Sequence, residues 1–169
     1  MRIRQETEQD YDEVYQLVTE AFKSAEHADG NEQELVTALR KSEAFVPELS
    51  LVAEIDGQLA GHIMFSRATV GNDVVLVLAP LSVRPEFQKQ GVGTALMNEA
   101  HKLAKRLGYQ YSLVLGSETY YPRVGYVPAE RFGMESPAGM PSANFMALKL
   151  QENAGPISGA VHYPKEFGL

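Results

Sequence analysis

The chain has 169 residues, of which 44% are apolar and 22% are charged, and its formal net charge is −7. This length suits one globular domain, and the absence of cysteine excludes disulfides, thiolate metal sites and cysteine nucleophiles. The negative charge argues against a nucleic-acid partner, while the lack of an apolar run of ~18 residues and of a secretory signal predicts a cytoplasmic protein with no membrane segment.

The first third of the chain predicts a short strand followed by two helices. The strand covers Ile3–Gln5, and a capping-box pattern then opens a helix whose apolar face ends near Lys23. Residues 24–30 are polar and typical of a loop. The cap pattern recurs at Asn31, and Pro47 is expected to stop the second helix.

The pattern then changes to the alternation of β-strands. Leu51–Val70 reads as a hairpin with a tight turn at Asp56-Gly57. Val74–Leu78 is almost continuously apolar, which is typical of a strand buried on both faces. Pro80 follows, and because proline cannot donate to a sheet ladder, we expect pairing to lapse there at a bulge or an unpaired strand end. The strand resumes over Leu81–Val83.

The second half of the chain completes an α/β pattern. A helix over Gly93–Leu107 is followed by a strand at Tyr111–Leu115 and a late strand at Phe145–Leu150. The central strand–helix–strand unit predicts a parallel strand pair with a right-handed crossover. We therefore expect a mixed sheet with helices on both faces, formed by residues 1–150, with the tail 151–169 packed on the same domain.

The loop Gln88–Thr94 joins a predicted strand to the start of a helix. The first backbone N–H groups of a helix have no partner inside it, and the helix dipole favours an anion at that end. Gly91 and Gly93 allow the backbone to approach a ligand closely, and Arg84 and Lys89 are expected to add positive charge. The phosphate-binding motifs of P-loop and dinucleotide-binding proteins are absent, which disfavours those nucleotide-binding classes.

The segment Leu81–Leu96, with the sequence LSVRPEFQKQGVGTAL, closely resembles the acyl-CoA loop of the GNAT acetyltransferases. That signature is a strand ending in Val-x-Pro, followed by Gln/Arg-x-x-Gly-x-Gly/Ala at the start of a helix. Tyr121–Tyr126 is similar to the family's Tyr-x-x-x-Gly-Phe/Tyr segment, and the order of elements agrees from about residue 3 to 150. The resemblance implies the GNAT fold, with a central mixed sheet, and acetyl-CoA as cosubstrate.

The resemblance also implies how the cosubstrate binds. In such proteins the strand before the loop splays from the next parallel strand, and the pantetheine arm pairs with the open backbone. Leu81 and Val83 would then meet the pantetheine and acetyl group, and the loop would surround the pyrophosphate. The predicted contacts are Leu81, Ser82, Val83, Gln88, Lys89, Gln90, Gly91, Val92, Gly93 and Thr94.

Acetyl transfer needs a polarised carbonyl and a proton for the departing thiolate. Tyr121 matches the family's tyrosine and is the predicted proton donor, and the adjacent Tyr120 is the alternative. A neutral phenol, with an ordinary pKa of about 10, donates without further tuning. The resemblance assigns the oxyanion contact to the backbone N–H of Val83.

No general base is identified, because the strand before the loop lacks the glutamate that many relatives carry there. Glu118 is a candidate that would act through water. The loop between the first two helices offers Glu26, His27 and Asp29.

The other histidines are expected to have structural places. His62 lies within a predicted strand and suggests a core residue, whereas His101 is expected on the exposed face of the long helix. His162 lies in the tail. No pair of histidines has the spacing of metal ligands, so we expect no metal site.

The resemblance therefore implies an acetyl-CoA-dependent N-acetyltransferase. The acceptor would be a primary amine of a small molecule, or an exposed amino group, attacking directly in a ternary complex. The alternative is a non-catalytic acyl-CoA-binding sensor or regulatory module. Relatives are often homodimers, which makes a homodimer an expectation by analogy only.

Overall fold

A central mixed sheet carries helices on both faces in the computed structural model, which describes residues 1–23 and 30–169. The helices are α1 (Tyr11–Phe22), α2 (Glu32–Arg40) and α3 (Val92–Arg106). The strands are β1 (Arg2–Gln5), β2 (Phe45–Ile55), β3 (Gln58–Val70), β4 (Asp73–Val83), β5 (Tyr111–Leu115), β6 (Val127–Pro128), β7 (Met134–Glu135), β8 (Phe145–Lys149) and β9 (Gly159–His162).

The strands follow the order β1-β2-β3-β4-β5-β8-β6 across the sheet. Along this path β4 and β5 run parallel and the other neighbours run antiparallel. The parallel pair is joined through α3, which confirms the predicted strand–helix–strand unit. Neither α1, α2 nor α3, within the described ranges, is both long and apolar enough to span a membrane.

The helices α1 and α2 cover one face of the sheet. Val14, Leu17 and Val18 recur on one side of α1 and are fully buried, as their spacing predicts. They form a cluster with residues of β2 and β3, including Val52 and Met64. Burial of such side chains contributes about 1.5–3 kcal/mol each.

The opposite face is covered by α3. Leu96, Met97 and Ala100 are fully buried against β2, β3 and β4. Gly61 of β3 faces this helix: a Cβ atom there would lie 2.9 Å from Cγ1 of Val92 and 3.1 Å from the backbone oxygen of Ser82. The sheet and α3 therefore approach closely because this strand position has no side chain.

The parallel pairing between β4 and β5 is short. It joins Leu76 to Ser112 and Val77 to Leu113, although β4 continues to Val83. On its other edge β4 stays paired with β3, but two residues of β4, Ala79 and Pro80, oppose the single residue Met64 of β3. This is a β-bulge, and it confirms the predicted lapse of pairing at that proline.

Two local predictions need correction. Pro47 does not stop α2, which ends at Arg40, but lies exposed inside β2, where the register with β3 is irregular. Proline is accepted there because the local ladder is already interrupted. The short strands β6, β7 and β9 were not predicted, since two to four residues give too little periodicity. In the tail, β9 pairs with Thr69 and Val70 of β3.

Replacing Gly61 by Ala should lower the free energy of unfolding by about 1–3 kcal/mol, because the added methyl group overpacks the contact with α3 and the Ser82 backbone. Urea unfolding measures the effect. Gly155→Ala is the matched control, since a Cβ at Gly155 meets nothing within 4 Å. Equal stabilities of the two variants would contradict this account of the interface.

Candidate active site

A cleft of about 620 Å³ opens between the end of β4, the start of α3 and the loop after β5. Its lining includes nine of the ten residues predicted to contact the cosubstrate, and both predicted tyrosines. The lining residues are Ala21, Phe22, Leu81, Ser82, Val83, Phe87, Gln88, Lys89, Gly91, Val92, Gly93, Thr94, Tyr120, Tyr121 and Arg123.

The loop before α3 presents backbone N–H groups to this cleft. Lys89 and Gly91 adopt left-handed conformations, with φ of 62° and 85°, and the strain is small only at glycine. The first helical hydrogen bond runs from the N–H of Ala95 to the carbonyl of Gly91. The N–H groups of 92–94 therefore lie ahead of the helical ladder, where an anion is favoured.

The end of β4 offers an open backbone edge. The N–H of Arg84 donates to the carbonyl of Ala60 on β3, and Gly61 lies opposite Val83. Because N–H directions alternate along a strand, the N–H of Val83 points away from β3. The pairing with β5 has already ended on that side, so this N–H faces the cleft. Gln88 donates from its side-chain amide to the carbonyl of Val83 at 3.0 Å.

The two adjacent tyrosines lie on different parts of the cleft wall. The hydroxyl of Tyr120 lies against Gly93, where a Cβ atom would be 2.5 Å from it. The ring of Tyr121 covers Gly116 at the end of β5 and stands at 80° to the Tyr120 ring. Burial is the main reason that the pKa of Tyr121 is raised above its ordinary value. Its hydroxyl therefore remains a proton donor at neutral pH.

A buried polar cluster supports Tyr121 from below. The ring of Tyr126 packs edge-on against Tyr121, and its hydroxyl bonds Nε2 of His101 at 2.9 Å and Oγ of Ser112 at 2.7 Å. Burial lowers the pKa of His101 to about 4. The expectation that His101 faces solvent is wrong, because its partner Tyr126 lies 25 residues away and is invisible to helical periodicity.

Arg84 does not supply charge to the cleft mouth, contrary to the expectation. Its side chain is buried and donates to Oε2 of Glu20 at 2.8 Å and to the carbonyl of Leu59 at 2.7 Å. It therefore ties α1 to β3. Gln90 is exposed and outside the cleft lining, and its amide donates to the carbonyl of Glu86.

Of the candidate bases, Glu118 is the one that lies among the described residues. Glu118 is exposed, lies outside the cleft lining and accepts a hydrogen bond of 2.6 Å from Asn144, so a role through water stays a prediction. Glu26, His27 and Asp29 fall outside the described residues.

Arg123 was missed as a cleft residue, although it lies inside the quoted tyrosine motif. Arg123 follows the predicted site residue Tyr121 by two positions, and this proximity in the sequence could have indicated that it lines the cleft. In the described ranges, no three His, Cys, Asp or Glu side chains converge as metal ligands.

Residues 11–126 match the model of the acetyltransferase (GNAT) family. This region covers the cleft lining described above, including the loop before α3 and both tyrosines. The chain belongs to the GNAT acetyltransferase family.

Several named relatives support this assignment. YjhQ of Escherichia coli, named an N-acetyltransferase, is 38% identical over 123 residues, which are 70% of this chain and 65% of YjhQ. YhbS of E. coli, also named an N-acetyltransferase, is 30% identical over 99% of this chain and 98% of its own length.

Two solved structures confirm the predicted fold. The crystal structure of YhbS in complex with CoA has a TM-score of 0.89 and 26% identity over 99% of this chain and 92% of that one. A GNAT family acetyltransferase from Brucella melitensis in complex with acetyl-CoA has a TM-score of 0.80 and 32% identity, over 98% of this chain and 97% of its own.

The fully buried His62 and the half-buried His101 make stability depend on pH. Burial also lowers the pKa of His62 to about 4, so the unfolded chain, with ordinary values near 6.5, binds more protons than the folded chain between those values. The free energy of unfolding should therefore fall as pH drops from about 6.5 towards 4.

His101→Gln should remove one of these two contributions. Between pH 7 and pH 5 the variant should lose about 2 kcal/mol less stability than the natural protein. Urea unfolding at the two pH values measures this difference. Because the change in the free energy of unfolding between the two pH values is compared, the constant cost of the altered Tyr126 contact cancels. If the free energy of unfolding changed equally with pH in both proteins, His101 would not be held neutral in the folded chain.

Proposed function

We propose that the protein transfers the acetyl group of acetyl-CoA to a primary amine of a small molecule, or to an exposed amino group, by direct attack in a ternary complex. The carrying observation is that the open edge of β4 and the free amides before α3 face one cleft. A diphosphate and an extended arm suit these two adjacent surfaces. The CoA and acetyl-CoA held by the two similar structures support the same cosubstrate here.

In this proposal the N–H groups of 92–94 bind the pyrophosphate, with Lys89 adding charge at the rim. The pantetheine arm runs along Leu81–Val83, where β4 has no partner strand on the cleft side. Ala21 and Phe22, at the end of α1, line the cleft where the acceptor would lie. The net charge of −7 favours the approach of a cationic acceptor.

The reaction balances with groups already described. The neutral amine attacks the thioester carbon, a C–N bond forms, and the oxyanion faces the N–H of Val83. The C–S bond then breaks, the thiolate takes the proton of Tyr121, and the nitrogen releases one proton to solvent. Tyr121 regains its proton from water. Holding both substrates in one cleft removes much of the entropic cost of their encounter.

Gly91→Val should raise the dissociation constant of acetyl-CoA at least about tenfold, which corresponds to about 1.4 kcal/mol. A β-branched side chain strains the left-handed backbone that aims the amides at the cleft. Isothermal titration calorimetry measures the change. Gly71→Val is the matched control, because Gly71 is also left-handed but lies in the β3–β4 turn outside the cleft. Equal affinities in the two variants would count against the proposed pyrophosphate site.

Tyr121→Phe should lower kcat for amine acetylation on the order of 10²-fold, the usual contribution of a positioned acid. The dissociation constant of acetyl-CoA should stay within about twofold. Tyr120→Phe is the comparison variant, since its ring is adjacent but its hydroxyl lies against Gly93. Release of CoA thiol against a panel of primary amines measures both. A large loss of kcat in Tyr120→Phe alone would transfer the donor role to Tyr120, and binding without turnover on any amine would favour the non-catalytic module.

A further inference from the structure

Two buried residues that each carry a polar atom without a partner lie opposite each other on the α1-facing side of the sheet. His62 of β3 is fully buried, Ser82 of β4 is 2% exposed, and the two residues are opposite each other in the register. Opposite residues in antiparallel strands project from the same face, with Cβ atoms about 4.5–5.5 Å apart. Within the described chain, neither His62 Nδ1 nor Ser82 Oγ has a hydrogen-bond partner, and Ser82 lines the cleft.

The other side of His62 faces a carboxylate, since its Nε2 lies 3.6 Å from Oε2 of Glu6. Glu6 accepts two hydrogen bonds from Arg40, at 2.9 and 2.8 Å, and a third from Oγ of Ser50 at 2.7 Å. Burial disfavours the charge on Glu6, but the Arg40 contact and the others outweigh burial, and the pKa of Glu6 lies below its ordinary value. Glu6 is therefore an acceptor only.

This arrangement decides which nitrogen of His62 carries the proton. Ser50 has one hydroxyl hydrogen, and it is donated to Glu6. The 3.1 Å contact between Ser50 Oγ and His62 Nε2 then requires the N–H to be on Nε2. In a neutral imidazole, Nδ1 is consequently an acceptor without a hydrogen, and its residue lies opposite Ser82 in the register.

We propose that the hydroxyl of Ser82 donates a hydrogen bond to Nδ1 of His62. A lone pair of the Ser82 oxygen then faces the cleft and accepts a hydrogen bond from an N–H of the acceptor amine. Ser82 is then a substrate-contacting residue, and His62 is a positioning residue held by Ser50 and Glu6. Rotation of the serine about χ1, or one bridging water, brings its hydroxyl to Nδ1. This inference rests on the proposed acetyl transfer to an amine.

The geometry of β4 places this contact on the correct side of the thioester. Leu81 and Val83 project towards Gly93 and α3, as their distances to that position show, so Ser82 projects to the opposite face. That face is the one where Ala21 and Phe22 line the cleft. The pantetheine arm along the open edge of β4 would thus lie between the N-terminus of α3 on one side and the hydroxyl oxygen of Ser82 on the other. A neutral imidazole keeps the serine in the accepting orientation throughout the physiological pH range.

The test compares Ser82→Ala with Ser66→Ala. Ser66 is the matched control, because it is fully buried on β3, its hydroxyl also lacks a partner among the described residues, and it lies outside the cleft lining. Against butylamine, a linear diamine and an amino-acid amide, Ser82→Ala should lower kcat/KM at least about tenfold, as expected for a lost hydrogen bond to a charged or reacting group. Ser66→Ala should stay within about twofold and should keep the natural affinity for acetyl-CoA.

Two His62 variants separate positioning from packing. His62→Asn presents an amide oxygen near the position of Nδ1 and should retain most of the activity, whereas His62→Leu should fall as far as Ser82→Ala. Circular dichroism and acetyl-CoA affinity establish that each variant is folded. Equal activity of the Asn and Leu variants would overturn the positioning role.

A readout independent of turnover comes from long-range ¹H–¹⁵N spectra of histidine-labelled protein. His62 should show the Nε2–H tautomer at pH 7, and its Nδ1 resonance should shift in Ser82→Ala but not in Ser66→Ala. An Nδ1–H tautomer, or an unshifted resonance, would overturn the pairing even if the enzyme is active. A protein that binds acetyl-CoA and acetylates no amine would instead defeat the proposed function, and with it the amine contact of Ser82.

Discussion

The early end of pairing between β4 and β5 is the constraint on which the site depends. Two residue pairs, at Val77 and its predecessor, hold the strands together, and β4 then continues with only β3 as a neighbour. The bulge around Pro80 shifts the register within the same stretch. An open strand edge is ordinarily a liability in a soluble protein. Here it lies inside a cleft, where an extended ligand can occupy the place of the missing strand.

The two faces of β4 present different groups at the cleft. Side chains alternate along the strand, so Leu81 and Val83 face α3 while Ser82 faces the layer that contains α1. The backbone amides at the start of α3 thereby lie on one side of the strand, and the buried side chains of Ser82 and His62 lie on the other. Glu6 follows the first strand of the sheet. Hydrogen bonds through Ser50 thus connect Glu6, near the start of the chain, to His62, which lies opposite Ser82.

The parts of the site that are contiguous in sequence could be predicted, and the parts made by distant partners could not. The loop Gln88–Thr94 has its glycine spacing and its helix start within a few residues, and all but Gln90 line the cleft. The misplaced residues, Arg84 and His101, have polar partners 25 to 64 positions away in the chain. Likewise, strand periodicity placed His62 in the sheet but could not identify Ser50 as its neighbour.

Arg84 joins two regions that the chain separates by more than sixty residues. It follows the last residue of β4 and grips Glu20 in the final turns of α1, while its Nε holds the backbone of Leu59. One guanidinium consequently holds together the cleft wall at the end of β4 and the cleft wall that ends in Phe22. A tilt of α1 would either pull Glu20 away from Arg84 or carry the end of β4 with it, so the width of the cleft at Phe22 is mechanically coupled to the position of that strand end.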